Sequence, residues 1–212
     1  MSRLRLLIAD DHAILRFGLR RLLGEMAEVE AIGEAENGAR VAQLLREEHW
    51  DVLVLDLDMP GQNVLDVLKR AKLDHPDLSV LILSMFPEEQ FAMRALKAGA
   101  AGYLNKQSAP EQLITAVRLV ANGGTYISAA LAGALARNLS AKPLDTINEV
   151  LSDREFTVLR GIANGHTVSQ IAQTLNLSAK TVSTYRTRLL TKLGVRSNVE
   201  LARYAAEHSL VK

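Results

Sequence analysis

Short apolar runs alternate with longer stretches of helical periodicity along the first 122 residues. A short apolar run bounded by turn residues is typical of a buried β-strand, whereas apolar positions spaced by three and four residues predict a helix that buries one face. The pattern predicts five strands: Leu4–Ala9, Val29–Glu34, Trp50–Leu57, Leu78–Ser84 and Gly102–Leu104. It predicts a helix after each strand: Leu15–Leu23, Asn37–Glu48, Val64–Leu73, Glu88–Ala98 and Pro110–Ala121.

Strands that alternate with helices favour a parallel sheet, because each helix carries the chain back to the edge where the next strand starts. We therefore predict an α/β fold with a doubly wound, five-stranded parallel sheet covered by helices on both faces. Such sheets bind ligands just beyond the carboxyl ends of their strands. The chemistry of residues 1–122 is expected at that edge.

The pattern changes after residue 122. Residues 123–149 contain Gly123-Gly124 and Pro143 and are predicted to be a linker with a partly ordered start. The spacing within Ala129–Leu139 is also compatible with a helix. Residues 150–212 show four helical stretches and no strand pattern. They are predicted to form a second, smaller, all-α domain.

Composition narrows the class of protein. Of the 212 residues, 48% are hydrophobic and 23% are charged, as in ordinary globular proteins. The chain has no cysteine, which excludes disulfides, cysteine nucleophiles and cysteine-ligated zinc. No apolar run approaches the roughly 20 residues that span a bilayer, and Asp10 and Asp11 interrupt the first run too early for a signal peptide. We expect a soluble, cytoplasmic protein that does not bind membranes.

Charge is distributed unevenly between the two halves, although the net charge is only +1. Nine of the 25 basic residues but only six of the 24 acidic residues lie after residue 144. A basic C-terminal part weakly favours a polyanion as its partner.

Acidic side chains follow two of the predicted strands. Asp10 and Asp11 close the first strand, and Asp56 and Asp58 close the third. Carboxylates that meet at one edge of a sheet repel each other and favour a hard cation such as Mg²⁺. The alternative for any single Asp is a helix cap or a turn.

A hydroxyl and an ammonium group complete the set, because Ser84 ends the fourth strand and Lys106 follows the fifth. A carboxylate can attack phosphorus to form an aspartyl phosphate when nearby positive charge and hydrogen-bond donors neutralise the transferred group. Asp56 is the best candidate for this nucleophile, since it ends the apolar run Val52–Leu55.

Several motifs of residues 1–122 match one known family: Asp10-Asp11, Asp56–Gly61, Ser84, Gly99–Leu104 and Lys106. On these residues the segment resembles the receiver domain of bacterial two-component response regulators. The resemblance implies the flavodoxin-like receiver fold and phosphorylation of Asp56 by a sensor histidine kinase.

The same resemblance implies roles for the neighbouring residues. Mg²⁺ would be held by Asp11, Asp56 and the backbone carbonyl of Asp58, with Asp10 nearby through water. Ser84 and Lys106 would contact the phosphoryl group, and Tyr103 matches the aromatic switch position.

Two positions depart from the family pattern. Asn63-Val64 stands where the family commonly has Asp-Gly, and Gln107 stands where a proline often follows the lysine. Glycine permits backbone conformations that valine resists, so we expect the loop after Pro60 to differ in course. Neither departure removes a group that carries the chemistry.

Two alternatives to a phosphorylated receiver remain open at this stage. Asp56 and Asp58 have the Asp-x-Asp spacing of haloacid dehalogenase-like phosphohydrolases, although those enzymes usually carry the motif on their first strand. The second alternative is a receiver that is not phosphorylated and acts as a constitutive dimer module. The presence of the full set of site residues argues against it: Asp11, Asp56, Ser84 and Lys106.

A helix-turn-helix pattern occupies residues 167–186. Asn176-Leu177 marks a tight turn, and Ser178 is a favourable N-cap for the helix that follows. That helix places Val182, Tyr185, Leu189 and Leu193 on its inner side. No acidic residue lies between Ser178 and Glu200. A basic helix rich in hydroxyls fits the major groove of DNA, and a solvated helix face is the alternative.

Residues 150–212 resemble the LuxR-type helix-turn-helix domain through Leu151–Leu159, Gly165, Ile171-Ala172, Leu175, Ser178, Lys180–Tyr185 and Lys192-Leu193. Together the two domains resemble the NarL/FixJ subfamily over nearly the whole chain. The run that starts at Lys180 is most similar to the branch that includes BvgA and EvgA, which are served by hybrid sensor kinases. The resemblance implies a phosphorylation-dependent transcription regulator and not a turnover enzyme.

The LuxR-type resemblance also implies the residues that face DNA. Ser183, Thr184 and Thr187 are expected nearest the base edges, and Lys180, Thr181 and Arg188 on phosphates. Glu155 is expected to anchor the fold through a buried charge pair or a cap. The expected partners are promoter DNA, bound by a homodimer, a sensor histidine kinase and, as a further candidate, RNA polymerase, with Mg²⁺ as cofactor.

Overall fold

The computed structural model describes residues 3–59, 63–86, 88–129, 131–133, 151–208 and 210. The chain divides into two compact units, Met1–Ala136 and Arg137–Lys212. Most of the predicted linker, residues 134–149, and its predicted limit at residue 150 lie outside the described residues.

The first unit contains the predicted parallel sheet, whose strand order is β2-β1-β3-β4-β5. The strands are β1 (Leu4–Ala9), β2 (Val29–Ala35), β3 (Val52–Asp56), β4 (Ser79–Ser84) and β5 (Gly102–Asn105). All neighbouring strands are parallel, so the doubly wound α/β fold predicted from the sequence is confirmed.

A helix follows each strand, as the periodicity predicts. The helices are α1 (Ala13–Gly24), α2 (Gly38–Glu47), α3 (Val64–Asp74), α4 (Glu88–Lys97) and α5 (Pro110–Ala121). Local sequence signals fix several helix starts: Asn37 accepts the Arg40 N–H at the start of α2, and Pro110 occupies the first turn of α5.

The central strands are buried on both faces, and this burial supplies most of the stability of the unit. Every residue of β3 is buried, and each large apolar side chain removed from water contributes roughly 1.5–3 kcal/mol. One side of the sheet packs against α1 and α5 through Leu19, Leu23, Leu113 and Val117.

β3 is shorter than predicted, because Trp50 leaves the strand to pack against β2. The Trp50 ring lies so close to Gly33 that a Cβ at residue 33 would be 2.6 Å from it. Its indole N–H donates to the Leu44 carbonyl at 3.1 Å. A bulky apolar residue beside a strand therefore need not belong to it.

The chain continues along the edge of the sheet after α5. Tyr126 forms a parallel bridge with Gly102 of β5. Ala129 and residues 131–133 are helical. They lie within Ala129–Leu139, the stretch whose spacing is compatible with a helix. Leu131 is only 2% exposed, so this part of the predicted linker packs against the first unit.

The second unit has the four predicted helices: α6 (Asp153–Ala163), α7 (Val168–Thr174), α8 (Ala179–Leu193) and α9 (Asn198–Glu207). Ser152, Thr167, Ser178 and Ser197 cap their N-termini, as hydroxyl residues commonly do.

The turn between α7 and α8 depends on one left-handed residue. Asn176 has φ 55°, a conformation that asparagine tolerates better than most residues. The Leu177 N–H then donates to the Ala172 carbonyl at 2.8 Å and closes the end of α7. The predicted helix-turn-helix is confirmed. Among the described residues, no helix has both the length and the apolar character to cross a membrane.

Candidate functional site

Parallel pairing of β1 and β3 brings the predicted acidic cluster together. Ala9 pairs with Leu55, so Asp10 and Asp56 leave the sheet side by side. One potential ligand atom from each of Asp10, Asp11, His12 and Asp56 lies within 4.8 Å of the others. Asp10 and Asp56 are 1% and 2% exposed, whereas the Asp11 side chain is 30% exposed at the rim.

Lys106 reaches this cluster from the loop after β5. Its Nζ lies 2.6 Å from Asp10 Oδ2 and 2.8 Å from Asp56 Oδ2. Burial lowers the pKa of Lys106, but its contacts with Asp10 and Asp56 raise the pKa by more, so the net shift is upward. Lys106 therefore remains an ammonium group in the site.

Asp56 is the carboxylate that is least satisfied. Burial raises the pKa of Asp56, the contact with Lys106 opposes this shift, and the Asp10 charge adds to it, so the net pKa is raised. Asp56 Oδ1 is buried and makes no hydrogen bond of normal geometry. A buried carboxylate without full compensation is costly, so the site favours additional positive charge.

The donor set fits Mg²⁺, the cation that the receiver family generally binds through acidic residues. Lys106 contacts Asp10 and Asp56 of this cluster, and hard carboxylate oxygens are the ligands that Mg²⁺ prefers. Asp58 is the second residue after β3, and residues 60–62 of the same loop lie outside the described residues.

Two further residues hold the acidic pair and were not predicted. The His12 backbone N–H donates to Asp10 Oδ1 at 2.7 Å, and its Nδ1 lies 2.8 Å from Asp11 Oδ1. Arg16 donates to the Asp10 carbonyl at 2.7 Å. Arg16 precedes Leu19 and Leu23 by three and seven residues, so it lies on the buried side of α1. A charged residue at such a position is the sequence signal that could have identified Arg16 as part of the site.

Ser84 and Tyr103 meet at the loop after β4. Ser84 follows Leu83, which pairs with Asp56, and its Oγ accepts the Phe86 N–H at 3.2 Å. Tyr103 is fully buried, and its hydroxyl donates to the Phe86 carbonyl at 3.0 Å. The backbone of Phe86 thus contacts both side chains, Ser84 and Tyr103.

Both departures from the family pattern have local explanations. Asn63 is the N-cap of α3 and accepts the Leu65 N–H at 3.0 Å, which makes Val64 an ordinary first residue of a helix. Among the described residues, Asn176 is the only non-glycine residue with positive φ, so Val64 needs no glycine-like backbone. The Lys106–Gln107 peptide bond is trans, and the Gln107 N–H donates to Asn105 Oδ1.

The six predicted DNA-facing residues lie on α8. Lys180, Ser183, Thr184, Thr187 and Arg188 are exposed, and Thr181 is half-buried. Thr181 Oγ1 lies 2.8 Å from Ser178 Oγ at the cap. The Thr184 and Thr187 hydroxyls donate to backbone carbonyls one turn earlier. The structure therefore presents one polar, basic face of this helix.

Glu155 does anchor the second unit, as expected. Its carboxylate completes a capping box with Ser152 and accepts from Lys192 Nζ at 2.7 Å. Burial raises the pKa of Glu155, but Lys192 and Ser152 lower it by more, so the net pKa is lowered. Lys192 is thus engaged by Glu155 within the domain.

Two family models match this chain. Residues 6–118 match the response regulator receiver domain, and residues 149–205 match the bacterial regulatory proteins of the luxR family. The chain belongs to the response regulators. Its receiver is joined to a LuxR-type helix-turn-helix domain, as in the NarL/FixJ family.

Curated relatives match the response regulator over its full length. Response regulator GacA of Pseudomonas aeruginosa is 36% identical, with 98% of each chain covered. Oxygen regulatory protein NreC of Staphylococcus epidermidis is 36% identical, with 99% of this chain and 100% of NreC covered. Response regulator UvrY of Escherichia coli is 33% identical, with 98% of this chain and 95% of UvrY covered.

Solved structures of RcsB share the fold. RcsB from Salmonella enterica serovar Typhimurium, bound to the promoter rprA with the phosphomimetic BeF3−, is 30% identical, with 97% and 99% coverage and a TM-score of 0.75. Another RcsB structure is 31% identical, with 98% of each chain covered and a TM-score of 0.79. This response regulator is thus a DNA-binding transcription regulator of a two-component system and not a turnover enzyme, and the phosphohydrolase interpretation is wrong.

Proposed function

We propose that Asp56 accepts a phosphoryl group from a sensor histidine kinase and thereby controls DNA binding by α8. The observation that carries this proposal is the state of Asp56 itself. It is a buried carboxylate with one oxygen beside Lys106 and the other without a normal hydrogen bond. Attack by that oxygen forms the O–P bond, the N–P bond of the donor phosphohistidine breaks, and the imidazole leaves with the electron pair.

The surrounding residues prepare this transfer. Lys106 holds Asp56 and Asp10 in place and donates to the phosphoryl oxygens, and the Ser84 hydroxyl contacts the same group. Tyr103 acts as the switch residue through its bond to Phe86. When bound by Asp11, Asp56 and the Asp58 carbonyl, with Asp10 nearby through water, Mg²⁺ supplies positive charge that stabilises the transferring group.

Magnesium is expected to stabilise the first unit. At ten times its dissociation constant, Mg²⁺ should add about 1.4 kcal/mol to the free energy of unfolding. Asp11→Asn should weaken Mg²⁺ binding by at least about tenfold, because a rim carboxylate ligand is lost. Thermal unfolding at increasing Mg²⁺ concentration measures both effects.

Asp58→Asn is the matched control for this titration, because Asp58 is proposed to act through its backbone carbonyl. It should retain most of the wild-type Mg²⁺ affinity. Equal affinity of wild type and Asp11→Asn would contradict the assignment of Asp11.

DNA recognition is assigned to the exposed face of α8. Ser183, Thr184 and Thr187 are proposed to lie nearest the base edges, and Lys180, Thr181 and Arg188 to contact phosphates. Support comes from the exposure of this face and from the absence of acidic residues between Ser178 and Glu200.

Lys180→Ala is expected to weaken binding to all DNA sequences to a similar extent. Loss of one phosphate contact should lower the slope of log affinity against log salt by ~1. Binding titrations at several salt concentrations measure this slope. Arg203→Ala removes a basic residue of α9 that pairs with Glu207, and it should leave the slope unchanged. An unaltered slope in Lys180→Ala would rule out its phosphate contact.

The partners proposed for this chain follow from the same assignments. A homodimer would read two half-sites about one helical turn apart, and the regulator would act in the cytoplasm, where it meets promoter DNA. RNA polymerase is a further candidate partner. The α8 sequence supports placement in the BvgA/EvgA-like branch, and hence a hybrid sensor kinase as donor.

Selection of bound sequences from random DNA, with and without acetyl phosphate, tests the coupled function. We expect a common motif to be enriched much more strongly when acetyl phosphate and Mg²⁺ are present. Equal enrichment without acetyl phosphate would favour the constitutive dimer module instead.

A further inference from the structure

The chain after α5, which is the first part of the predicted linker, runs beside the edge strand β5 of the receiver. We call Tyr126–Ser128, Ala129 and Leu131 the strap. The Tyr126 N–H donates to the Ala101 carbonyl at 2.9 Å, and its own carbonyl accepts from the Tyr103 N–H at 3.4 Å. Leu131 is 2% exposed. Tyr126 therefore pairs the strap with β5 through a short backbone bridge.

The strap approaches β5 closely at a glycine. A Cβ at Gly102 would be 2.9 Å from both the Cβ and the carbonyl oxygen of Tyr126. Any larger residue would displace the strap or the strand. The edge of the sheet is thus shaped to receive Tyr126.

A side-chain contact fastens the strap to α4. Glu88 begins α4, and its Oε2 is hydrogen-bonded to Ser128 Oγ. The same Ser128 Oγ accepts the Leu131 N–H at 3.1 Å, so it also starts the short helical turn of the strap. Glu88 additionally raises the pKa of Tyr126, after the larger effect of burial. One carboxylate therefore faces two parts of the strap.

Only a few residues separate this contact from the phosphoacceptor site. Ser84 Oγ is engaged with the Phe86 N–H, and the Phe86 carbonyl accepts from Tyr103 and Asn105. The Phe86 ring stacks on Phe91 of α4, with centroids 4.7 Å apart. A shift of Phe86 is thus passed to the first turn of α4, where Glu88 lies.

We propose that the strap is a latch that phosphorylation of Asp56 opens, through movement of Ser84 and Phe86 and loss of the Glu88–Ser128 contact. This inference rests on the proposed function. Ser84 Oγ leaves Phe86 when it turns towards the phosphoryl group, and the first turn of α4 follows. Each residue released from the sheet edge lengthens the tether of the DNA-binding unit by up to about 3.5 Å.

The two ends of this path must influence each other equally. If phosphoryl-like occupancy of Asp56 shifts the latch equilibrium towards the open state by some factor, then the open state must bind the phosphoryl mimic more tightly than the closed state by the same factor. Because of this reciprocity, the latch can also be tested by a substitution at the Glu88–Ser128 contact.

Hydrogen exchange of the full chain with Mg²⁺, with and without beryllofluoride, tests the first direction. The Tyr126 and Leu131 amides should exchange at least about tenfold faster with beryllofluoride, within the usual range of coupling between sites. The Asp51 amide, which precedes β3 and donates to the Arg5 carbonyl of β1, should not change. Unchanged exchange at both strap amides would overturn the inference.

Glu88→Gln tests the reverse direction, because it removes the charge and keeps a group of similar size. Beryllofluoride affinity should rise by about threefold or more, and exchange at Tyr126 should rise before any mimic is added. Glu111→Gln is the matched control, since it removes an acid from the first turn of α5. It should leave both quantities unchanged.

The outcomes separate the latch from the function on which it rests. Failure of wild type to bind beryllofluoride would overturn both. The other informative result is that wild type binds beryllofluoride, Asp56→Asn does not, and Glu88→Gln binds it with wild-type affinity. That result would support Asp56 as the phosphoacceptor and reject the latch.

Discussion

Asp56→Asn is expected to abolish phosphoryl uptake from acetyl phosphate, by at least about 1,000-fold. The amide has no anionic oxygen to attack phosphorus. Asp10 and Asp11 follow β1 and therefore do not occupy the position of Asp56 at the end of β3. Incubation with labelled acetyl phosphate and Mg²⁺, followed by quantification of the label on the protein, measures the effect.

Asp74→Asn provides the control for phosphoryl uptake. Asp74 lies at the end of α3 in the same unit, and its exposed carboxylate pairs with Arg70. This variant loses the same charge and should take up phosphate as wild type does. Normal uptake by Asp56→Asn would show that another side chain is the acceptor.

Glu155→Ala is expected to destabilise the second unit by about 3 kcal/mol. The side chain is 3% exposed and serves both the capping box and Lys192. Its removal takes away the acceptor of the Ser152 N–H and the carboxylate that contacts the half-buried Lys192 ammonium, and such losses cost about 3–5 kcal/mol at fully buried pairs. Urea unfolding of the full chain, followed by helical circular dichroism, measures the loss.

The pH dependence gives an independent check on Glu155. Because its pKa is lowered in the folded state, its contribution is complete above the ordinary value of 4.5 and disappears as the pH falls through the folded pKa. The stability difference between wild type and Glu155→Gln should therefore shrink between about pH 5 and pH 3. A difference that is constant over this range would contradict the ionised pair.

The sheet and the acidic cluster could be predicted because both follow from short-range patterns. Alternation of buried runs and helices defines a parallel sheet, and its geometry places Asp10 and Asp56 at one edge without knowledge of any side-chain contact. The helix-turn-helix could also be predicted from the sequence, since the cap at Ser178 and the turn at Asn176 are local signals.

Other features of the site depend on contacts that no local pattern encodes. Lys106 meets Asp10 across 96 residues of sequence, and its bond to two carboxylates at once depends on the reach of one flexible side chain. The sequence predicts a linker at the strap because Gly123 and Gly124 are turn residues. Its packing depends on the missing side chain at Gly102, a tertiary condition that overrides local composition.

The position of Trp50 gives the protein an internal optical reporter. It is the only tryptophan in the chain, and it is 6% exposed against Gly33 in the first unit. Its fluorescence therefore follows unfolding of the receiver alone, while helical circular dichroism follows both units. The melting of the two halves can be separated in the intact chain without any label or truncation.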